Sequence, residues 1–468
     1  MAKQAVPVRV GDSLDLTLEA LVGGGEAIAR LDGFPVFVPL GVPGDRVRAK
    51  VVSTKPGYAR ALVEQVITEG PERVAARCPL FGTCGGCQWQ EIDYERQLHW
   101  KREQVADALR RIGGFSVDDW LEPTLGMADP WDYRNKVHWA IAREGQAYLI
   151  GMYEPRSHRV VDVERCHIQH GLNNEVLSFL HEALPRFGFE VYDEKTRRGF
   201  LRSAFAKAGH QTGELMIGLV TTREAFAQAD AWVEAIRERF PHVVSIVQNI
   251  HPKPGNTLMG DRTKVLWGKD HLSERIGELT FAISARSFFQ VNSEQVEQLY
   301  ALAADYLALR PEGRAADLYS GTGTIALYLA SRGAGEVVGI EAVPEATRDA
   351  QANAERNGIS NVRFETGKVE ERLPKLLSTM GALDGVVLDP PRKGCEPEVL
   401  AAIAKTGVPR VVYVSCNPAT LARDLKILAE QGGYRIVRAR PVDMFPQTSH
   451  VETVALLERP SPEARPEK

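Results

Sequence analysis

The sequence predicts an α/β protein in three parts: an all-β amino-terminal barrel, a mixed α+β middle, and a carboxy-terminal doubly wound α/β domain. Three observations carry this. Over residues 6–67 apolar residues alternate with polar ones between Gly- and Pro-containing turns, the period-2 pattern of short strands. From about residue 313 short apolar runs alternate with helix-like segments, which implies a parallel sheet covered on both faces. A length of 468 residues, against ~150 per domain, suggests about three domains.

In the first part Val36-Phe37-Val38 and Val47, Ala49 and Val51 supply the apolar positions. Gly23-Gly24-Gly25, Gly33, Pro43-Gly44 and Pro56-Gly57 supply the turns. Short strands packed this closely fit a small barrel of the oligonucleotide-binding type. Arg46, Arg48 and Lys50 alternate with Val47 and Ala49, so one strand sets three cations on one face, and Lys55 and Arg60 extend the patch. That face reads either as a contact surface for RNA phosphates or as an ordinary solvated strand face. A Cys-rich segment over 70–90 and a helix over 94–112 follow. Residues 124–290 read as mixed strands and helices, with Ser287-Phe288-Phe289-Gln290-Val291-Asn292 setting two aromatics before polar amides. The expected divisions are therefore 1–68, 69–290 and 291–459, and the Pro-rich, charged segment 460–468 is expected to be a disordered tail.

Composition excludes several classes. A hydrophobic fraction of 44% with 25% charged residues is that of a folded chain. No uncharged apolar run approaches the ~20 residues needed to span a bilayer, and the start lacks a secretory signal, so a cytoplasmic protein is expected. Fifty-seven Lys+Arg against 61 Asp+Glu give a net charge of −4, unlike a protein that coats nucleic acid, so any RNA binding must come from local patches. Six cysteines in such a length are no disulfide scaffold. Cys78, Cys84 and Cys87 cluster instead in a pattern suited to a metal or to catalysis.

In the last part Ala315-Ala316-Asp317-Leu318 is a strand, followed by the loop Tyr319-Ser320-Gly321-Thr322-Gly323-Thr324 and a helix over 325–331. A second strand ends at Glu341, a helix covers 345–357, and further strands lie at 362–364, Gly385–Leu388 and 411–414. Ligands of such sheets bind beyond the carboxyl ends of the strands, where Asp317, Gly321, Gly323, Glu341 and Asp389 fall. Gly-x-Gly permits close approach of a ligand, and Glu341 can accept both hydroxyls of a ribose. Ala326 occupies the third small position of a dinucleotide loop, so the loop by itself leaves that alternative open. Asp389-Pro390-Pro391-Arg392 resembles the substrate-side motif of class I S-adenosylmethionine-dependent methyltransferases acting on nucleic-acid bases. Read as structure alone, Pro390-Pro391 is a stiff turn.

Cys416, in Val414-Ser415-Cys416-Asn417-Pro418, sits just past a parallel strand, and Glu452, in His450-Val451-Glu452-Thr453-Val454, starts the last one. Cys395 is a competitor in a loop between Gly394 and Pro397. C5 of uracil is too weak a nucleophile to attack a sulfonium methyl group. Thiolate addition at C6 makes C5 nucleophilic; C5 then takes the methyl, loses its proton to a base, and the thiolate leaves. That chemistry needs one low-pKa cysteine and one carboxylate about a single ring, which Cys416 and Glu452 would supply. Cytosine chemistry would put a second cysteine where Asp389-Pro390-Pro391 stands, so uracil is favoured. In the amino-terminal half, Cys78, Cys84 and Cys87 need a fourth ligand, and Cys166 is available. Four thiolates fit either tetrahedral zinc or a cubane cluster, and His167 and His170 keep a mixed zinc site open.

Together these motifs resemble the bacterial RNA (uracil-5-)-methyltransferases that act on 23S ribosomal RNA, with relatives acting on tRNA. The resemblance spans nearly the whole chain. It implies a TRAM domain, an oligonucleotide-binding-like barrel, at the amino terminus (Val36-Phe37-Val38-Pro39, Pro43-Gly44-Asp45) and a Rossmann-like class I methyltransferase domain at the other end. It further implies a 4Fe–4S cluster on Cys78, Cys84, Cys87 and Cys166 in the central domain. Gln290, Tyr319, Gly321, Gly323, Thr324, Glu341 and Asp389 would hold S-adenosylmethionine, with Cys416 the nucleophile and Glu452 the base. Arg46, Arg48 and Lys50 would bind RNA, and the enzyme would act as a monomer on structured RNA, 23S ribosomal RNA before tRNA. Thr324 stands where relatives sometimes carry Asn, and Lys368 stands where a side chain near the adenine is expected.

Overall fold

Alternation in the first part produces six strands: β1 (Ser13–Thr17), β2 (Ala20–Leu21), β3 (Ala27–Leu31), β4 (Phe34–Val38), β5 (Arg46–Lys55) and β6 (Tyr58–Thr68), in the order β1-β5-β6-β4-β3-β2. The computed structural model describes residues 6–255 and 257–460, so the expected tail lies, but for Pro460, outside the described residues. On β5 Val47, Ala49 and Val51 are buried while Arg46, Arg48 and Lys50 are exposed, as the alternation requires. The three cations are not all free, however. Antiparallel pairing with β1 sets Asp15 opposite Arg48, where it accepts at 2.9 Å from Nε and lies 3.8 Å from Arg46. Pairing with the neighbouring strand could not be read from β5 itself.

The middle forms a second sheet from β7 (Lys136–Glu144), β8 (Ala147–Tyr153), β9 (Val160–Asp162), β10 (Leu201–Ala208), β11 (Leu215–Thr221), β12 (Val243–Ile250) and β13 (Arg262–Gly268). Its order is β13-β12-β11-β10-β7-β8-β9, antiparallel except for β11 and β12. That parallel pair requires a crossover, supplied by α3 (Ala229–Arg239). With α2 (Gly171–Phe187), α3 covers a core containing Trp139, Leu180, Ile217 and Trp232.

The third sheet alternates strands and helices: α4 (Ser293–Leu307), β16 (Arg314–Leu318), α5 (Thr324–Ser331), β17 (Glu336–Glu341), α6 (Pro344–Arg356), β18 (Val362–Thr366), α7 (Val369–Met380), β19 (Gly385–Leu388), α8 (Pro397–Thr406), β20 (Arg410–Ser415), α9 (Pro418–Gly432), β21 (Arg435–Val442) and β22 (Glu452–Glu458). The order β18-β17-β16-β19-β20-β22-β21 reverses between β16 and β19, which opens a crevice at their carboxyl ends. Val386, Val387, Val411 and Val412 are wholly buried, as expected of strands covered on both faces. The sheet is not entirely parallel: β22 inserts antiparallel between β20 and β21.

Two elements from earlier in the chain pack on this third layer. Helix α1 (Tyr94–Ala108), capped by Asp93, runs into a π-helical turn (Leu109–Gly113), and Val105 and Leu109 share a core with Leu421 and Leu425 of α9. The hairpin of β14 (His271–Ile276) and β15 (Leu279–Ser284) buries Leu272 and Phe281 with Val296 and Leu299 of α4. Helix α1 also holds the β21–β22 connection. Lys101, wholly buried, pairs with Asp443 and donates to the Phe445 carbonyl at 3.0 Å, and Gln97 bonds Gln447. Among the described residues no helix is long and apolar enough to cross a membrane.

Candidate active site

A cavity of about 1110 Å3 opens at the crevice between β16 and β19. It is large enough for a cofactor together with an extruded base. Gln290, Tyr319, Gly321, Thr324, Glu341, Asp389, Cys416 and Glu452 all line it, although they are spread over more than a third of the sequence.

Local structure explains each placement. Directly after β16 comes Tyr319, whose φ of 66° is left-handed and strained for a side chain of this size. The chain thereby turns into Gly321, whose amide donates to Glu341 Oε2 at 3.0 Å. The other Glu341 oxygen accepts from the Val343 amide at 2.8 Å, so its carboxylate is fixed at the end of β17 with lone pairs to spare. Thr324 Oγ1 lies 2.8 Å from the Tyr300 hydroxyl. Asp317 Oδ2 accepts from the Ala326 amide at 2.9 Å, while its buried Oδ1 has no partner.

Two expected contacts lie elsewhere. Gly323 does not line the cavity: it begins α5 with φ 80°, and a Cβ there would come within 2.6 Å of the Phe364 ring and 2.9 Å of Ala350. The position requires glycine for packing and backbone conformation, and Gly323→Ala is expected to cost about 1–3 kcal/mol of stability, checked by urea unfolding. Lys368 is exposed and precedes α7, away from the cavity wall.

Cys416 and Glu452 meet through sheet register. Ser415 of β20 pairs with Thr453 of β22, so Cys416 and Glu452 stand one step beyond the last pair. Asn417 follows, capping α9 through its 3.0 Å acceptance from the Ala419 amide, and its Nδ2 donates to the Arg392 carbonyl at 3.1 Å. That bond ties the Asp389–Arg392 turn to the cysteine loop.

Electrostatically the cavity is acidic. Burial raises Asp389 to about 7. Asp317 and Glu452 lie well above the ordinary carboxylate range through burial and through the Asp389 charge. The expectation of a low-pKa cysteine is not met in the chain by itself. Burial, Glu452 and Asp389 push Cys416 up to about 11, with Arg392 acting in the opposite direction. The charge of the exposed Arg392 opposes the rise of both Cys416 and Glu452, and its Nη2 lies 3.4 Å from His450 Nδ1. Arg134, Arg286 and His450 also line the cavity. The sequence assigned them no role, although His450 opens the motif that contains Glu452 and Arg392 closes the Asp-Pro-Pro turn.

The four cysteines also converge. Cys78, Cys84, Cys87 and Cys166 line one smaller cavity, separate in sequence but joined where the Cys-rich segment meets the loop after β9. Burial raises Cys87 to about 12 and Cys166 to about 11 as thiols. Among the described residues no group of three or more His, Cys, Asp or Glu is arranged to hold a metal ion. Cys395, the competitor of Cys416, is buried and does not reach the large cavity.

The TRAM-like barrel is docked close to this site. Gly25 packs within contact of Ser449, and Trp89 Nε1 donates to the Gly25 carbonyl at 3.2 Å.

An acidic cavity at the point where a doubly wound sheet reverses its order suits a cationic cofactor, and the chain is an S-adenosylmethionine-dependent methyltransferase by class. Residues 93–460 match tRNA (uracil-5-)-methyltransferase and residues 7–63 match the TRAM domain. The chain therefore belongs to the RNA (uracil-5-)-methyltransferase family. It is 45% identical over 458 residues to an uncharacterized RNA methyltransferase of Halalkalibacterium halodurans, covering 98% of this chain and 99% of that one. It is 42% identical over 454 residues to one of Listeria monocytogenes, covering 97% and 99%. Among solved structures, the Pyrococcus abyssi tRNA (uracil-54, C5)-methyltransferase in complex with S-adenosyl-L-homocysteine superposes with a TM-score of 0.76. That pair is 29% identical, covering 95% of this chain and 100% of that one.

Proposed function

We propose that this enzyme methylates C5 of a specific uridine in 23S ribosomal RNA, with Cys416 as nucleophile and Glu452 as base. The observation that carries the thiol mechanism, on either RNA, is the antiparallel register that sets Cys416 beside Glu452 on one wall of the cavity. A second reading, a tRNA uridine, draws support from the family's description and from the Pyrococcus abyssi neighbour. Ribosomal and transfer RNAs substituted with 5-fluorouridine test both. Fluorine at C5 cannot leave as a proton, so the RNA that is a substrate stalls as a covalent complex on Cys416, and absence of trapping on either overturns the thiol mechanism.

S-adenosylmethionine supplies the methyl group on a positively charged sulfur. Gln290, Tyr319, Gly321, Thr324, Glu341 and Asp389 would bind and orient it, Glu341 facing a ribose. Gly323 acts behind them by shaping the loop. Asp317, with one buried carboxylate oxygen unpartnered, adds to a charge that a cation relieves. Affinity should therefore rise with pH as Asp389 ionises. Titration calorimetry from about pH 6 to about pH 8 is expected to show roughly tenfold tighter binding, and Asp389→Asn should flatten the dependence. Proton-linked stability runs the other way. A carboxyl raised to about 7 favours the folded state below its unfolded value and loses that contribution as pH rises through about 7.

Cys416 adds through Sγ to C6 of uracil, forming an S–C bond and an enolate. After C5 has gained its methyl, Glu452 takes the C5 proton, the C5–C6 double bond re-forms and the S–C bond breaks, releasing Cys416 as the thiolate. The α9 amino terminus favours the thiolate, as does a cation brought near Asp389.

Cys78, Cys84, Cys87 and Cys166 would hold the 4Fe–4S cluster. They fit it in that all four face one cavity, beside a buried guanidinium whose Nε lacks a partner. Thiolate-bound clusters of this kind supply an anionic structural centre.

Arg46, Arg48 and Lys50 would meet RNA phosphates, in competition with Asp15. Replacing all three with Ala is expected to weaken RNA binding about tenfold at low salt and to lower the salt dependence by about one to three counterions. Unchanged affinity in a filter-binding series would remove the patch from the RNA path. Action in the cytoplasm, as a monomer, completes the proposal.

A further inference from the structure

Arg134 belongs to the walls of both cavities, the methylation cavity and the one lined by the four cysteines. Its backbone is stitched to the elements that build each. Its amide donates to the Ile168 carbonyl at 2.8 Å, and its carbonyl accepts from the His170 amide and from Asn173 Nδ2, both at 3.0 Å. It also bridges to Gln169 on one side and to Asn292 on the other. The residue before it, Tyr133, donates to the Pro446 carbonyl at 3.0 Å, on the segment leading to Glu452.

The side chain is unusual in what it lacks. Nε is buried without a hydrogen-bond partner. Tyr133, Cys87 and Cys166 are its polar neighbours, and among the described residues no ion pair joins it to a carboxylate. A guanidinium stays charged under all ordinary conditions, and burying one without a counter-charge is strongly unfavourable. Thiolates of the cysteine centre are the available anions. At its other cavity the carboxyl groups of Asp317, Glu341, Asp389 and Glu452 share the wall with Arg286, Arg348 and Arg392.

We infer that Arg134 is a positioning residue that joins the cysteine centre to the substrate: the anionic centre balances its buried side, and its guanidinium holds a phosphate of the RNA at the methylation cavity. The centre then acts as a counter-ion, with no electron transfer in the reaction. This rests on the cluster reading, in that a thiolate-bound centre must be present. A guanidinium suits the task because its planar fork can bind two phosphate oxygens while a further N–H faces the thiolates.

The test uses full-length protein purified without oxygen, as wild type, Arg134→Met, Arg134→Lys and Cys84→Ser. Iron and sulfide content, iron release to a chelator, S-adenosylmethionine affinity and covalent trapping of 5-fluorouridine RNA are measured for each. For Arg134→Met the expectation is about tenfold faster iron release and about 100-fold weaker trapping at low RNA concentration. Its S-adenosylmethionine affinity should stay within about twofold, which separates loss of positioning from general collapse. Arg134→Lys keeps the charge without the fork, so it should retain iron while recovering only part of the trapping. If Arg134→Met fails to fold, Arg134→Lys carries the test alone, and full trapping by it overturns the phosphate contact. Unchanged iron release in folded Arg134→Met overturns the counter-ion link. A wild type without iron and sulfide overturns the cluster reading instead, and the trapping comparison still decides the RNA contact.

Discussion

Cys416→Ala is expected to abolish methylation and leave no covalent complex with 5-fluorouridine RNA. Removing a covalent nucleophile should cost about 10⁴-fold or more in kcat, because the remaining groups cannot make C5 of uracil nucleophilic. Binding of S-adenosylmethionine should survive, since the expected cofactor contacts on β16, β17 and β19 are untouched. Cys416→Ser should fail almost as completely, since an unactivated hydroxyl is a poor nucleophile. Radiolabelled methyl transfer, read beside a denaturing gel, distinguishes the outcomes. Substantial transfer by either variant would rule out the thiol adduct.

Glu452→Gln should have the opposite effect on the adduct. Without a base for the C5 proton, the cysteine-linked, methylated ring cannot collapse, so the complex should accumulate even on unsubstituted RNA. A loss of about 10²–10⁴-fold in turnover is the scale of general-base catalysis. Glu452 is nearly fully buried at the start of β22, and burial with the Asp389 charge holds its carboxyl well above the ordinary range. The base must be ionised to act, so wild-type turnover should rise with pH as Glu452 ionises. The glutamine variant should lack that limb. Loss of activity without accumulated adduct would assign Glu452 to an earlier step.

Local pattern made much of the fold legible. The alternation around Val47 and Ala49 placed β5 with the correct residues inward, and the strand at Gly385–Leu388 has the bounds expected of it. The helix expected over 94–112 exists, but its last turn is π-helical, ending at Gly114 in a left-handed conformation. The Gly-x-Gly loop was visible, yet its two glycines do different work. Gly321 lines the cavity, whereas Gly323 lies against Phe364, a residue of a strand about forty positions away. Spacing signals that a glycine is needed without distinguishing a ligand from a neighbouring ring as the reason. The same limit affected Arg46 and Arg48, whose exposure follows from alternation but whose partner Asp15 comes from another strand.

The sequence by itself determined the classes of its parts and the strand-end positions of Asp317, Glu341 and Asp389, and it offered Cys416 and Glu452 as the residue types that a thiol-adduct mechanism would use. Those readings are local, since a strand end or a turn is defined by residues a few positions apart. Tertiary structure decided which of them meet. Inserting β22 antiparallel between β20 and β21 sets Glu452 beside Cys416, 36 positions away in sequence, and α1 crosses from the amino-terminal half to anchor the segment before Glu452 through Lys101 and Asp443. It also raised the Cys416 thiol and the Glu452 carboxyl together, because burial and neighbouring charge belong to the assembled cavity and to no stretch of chain.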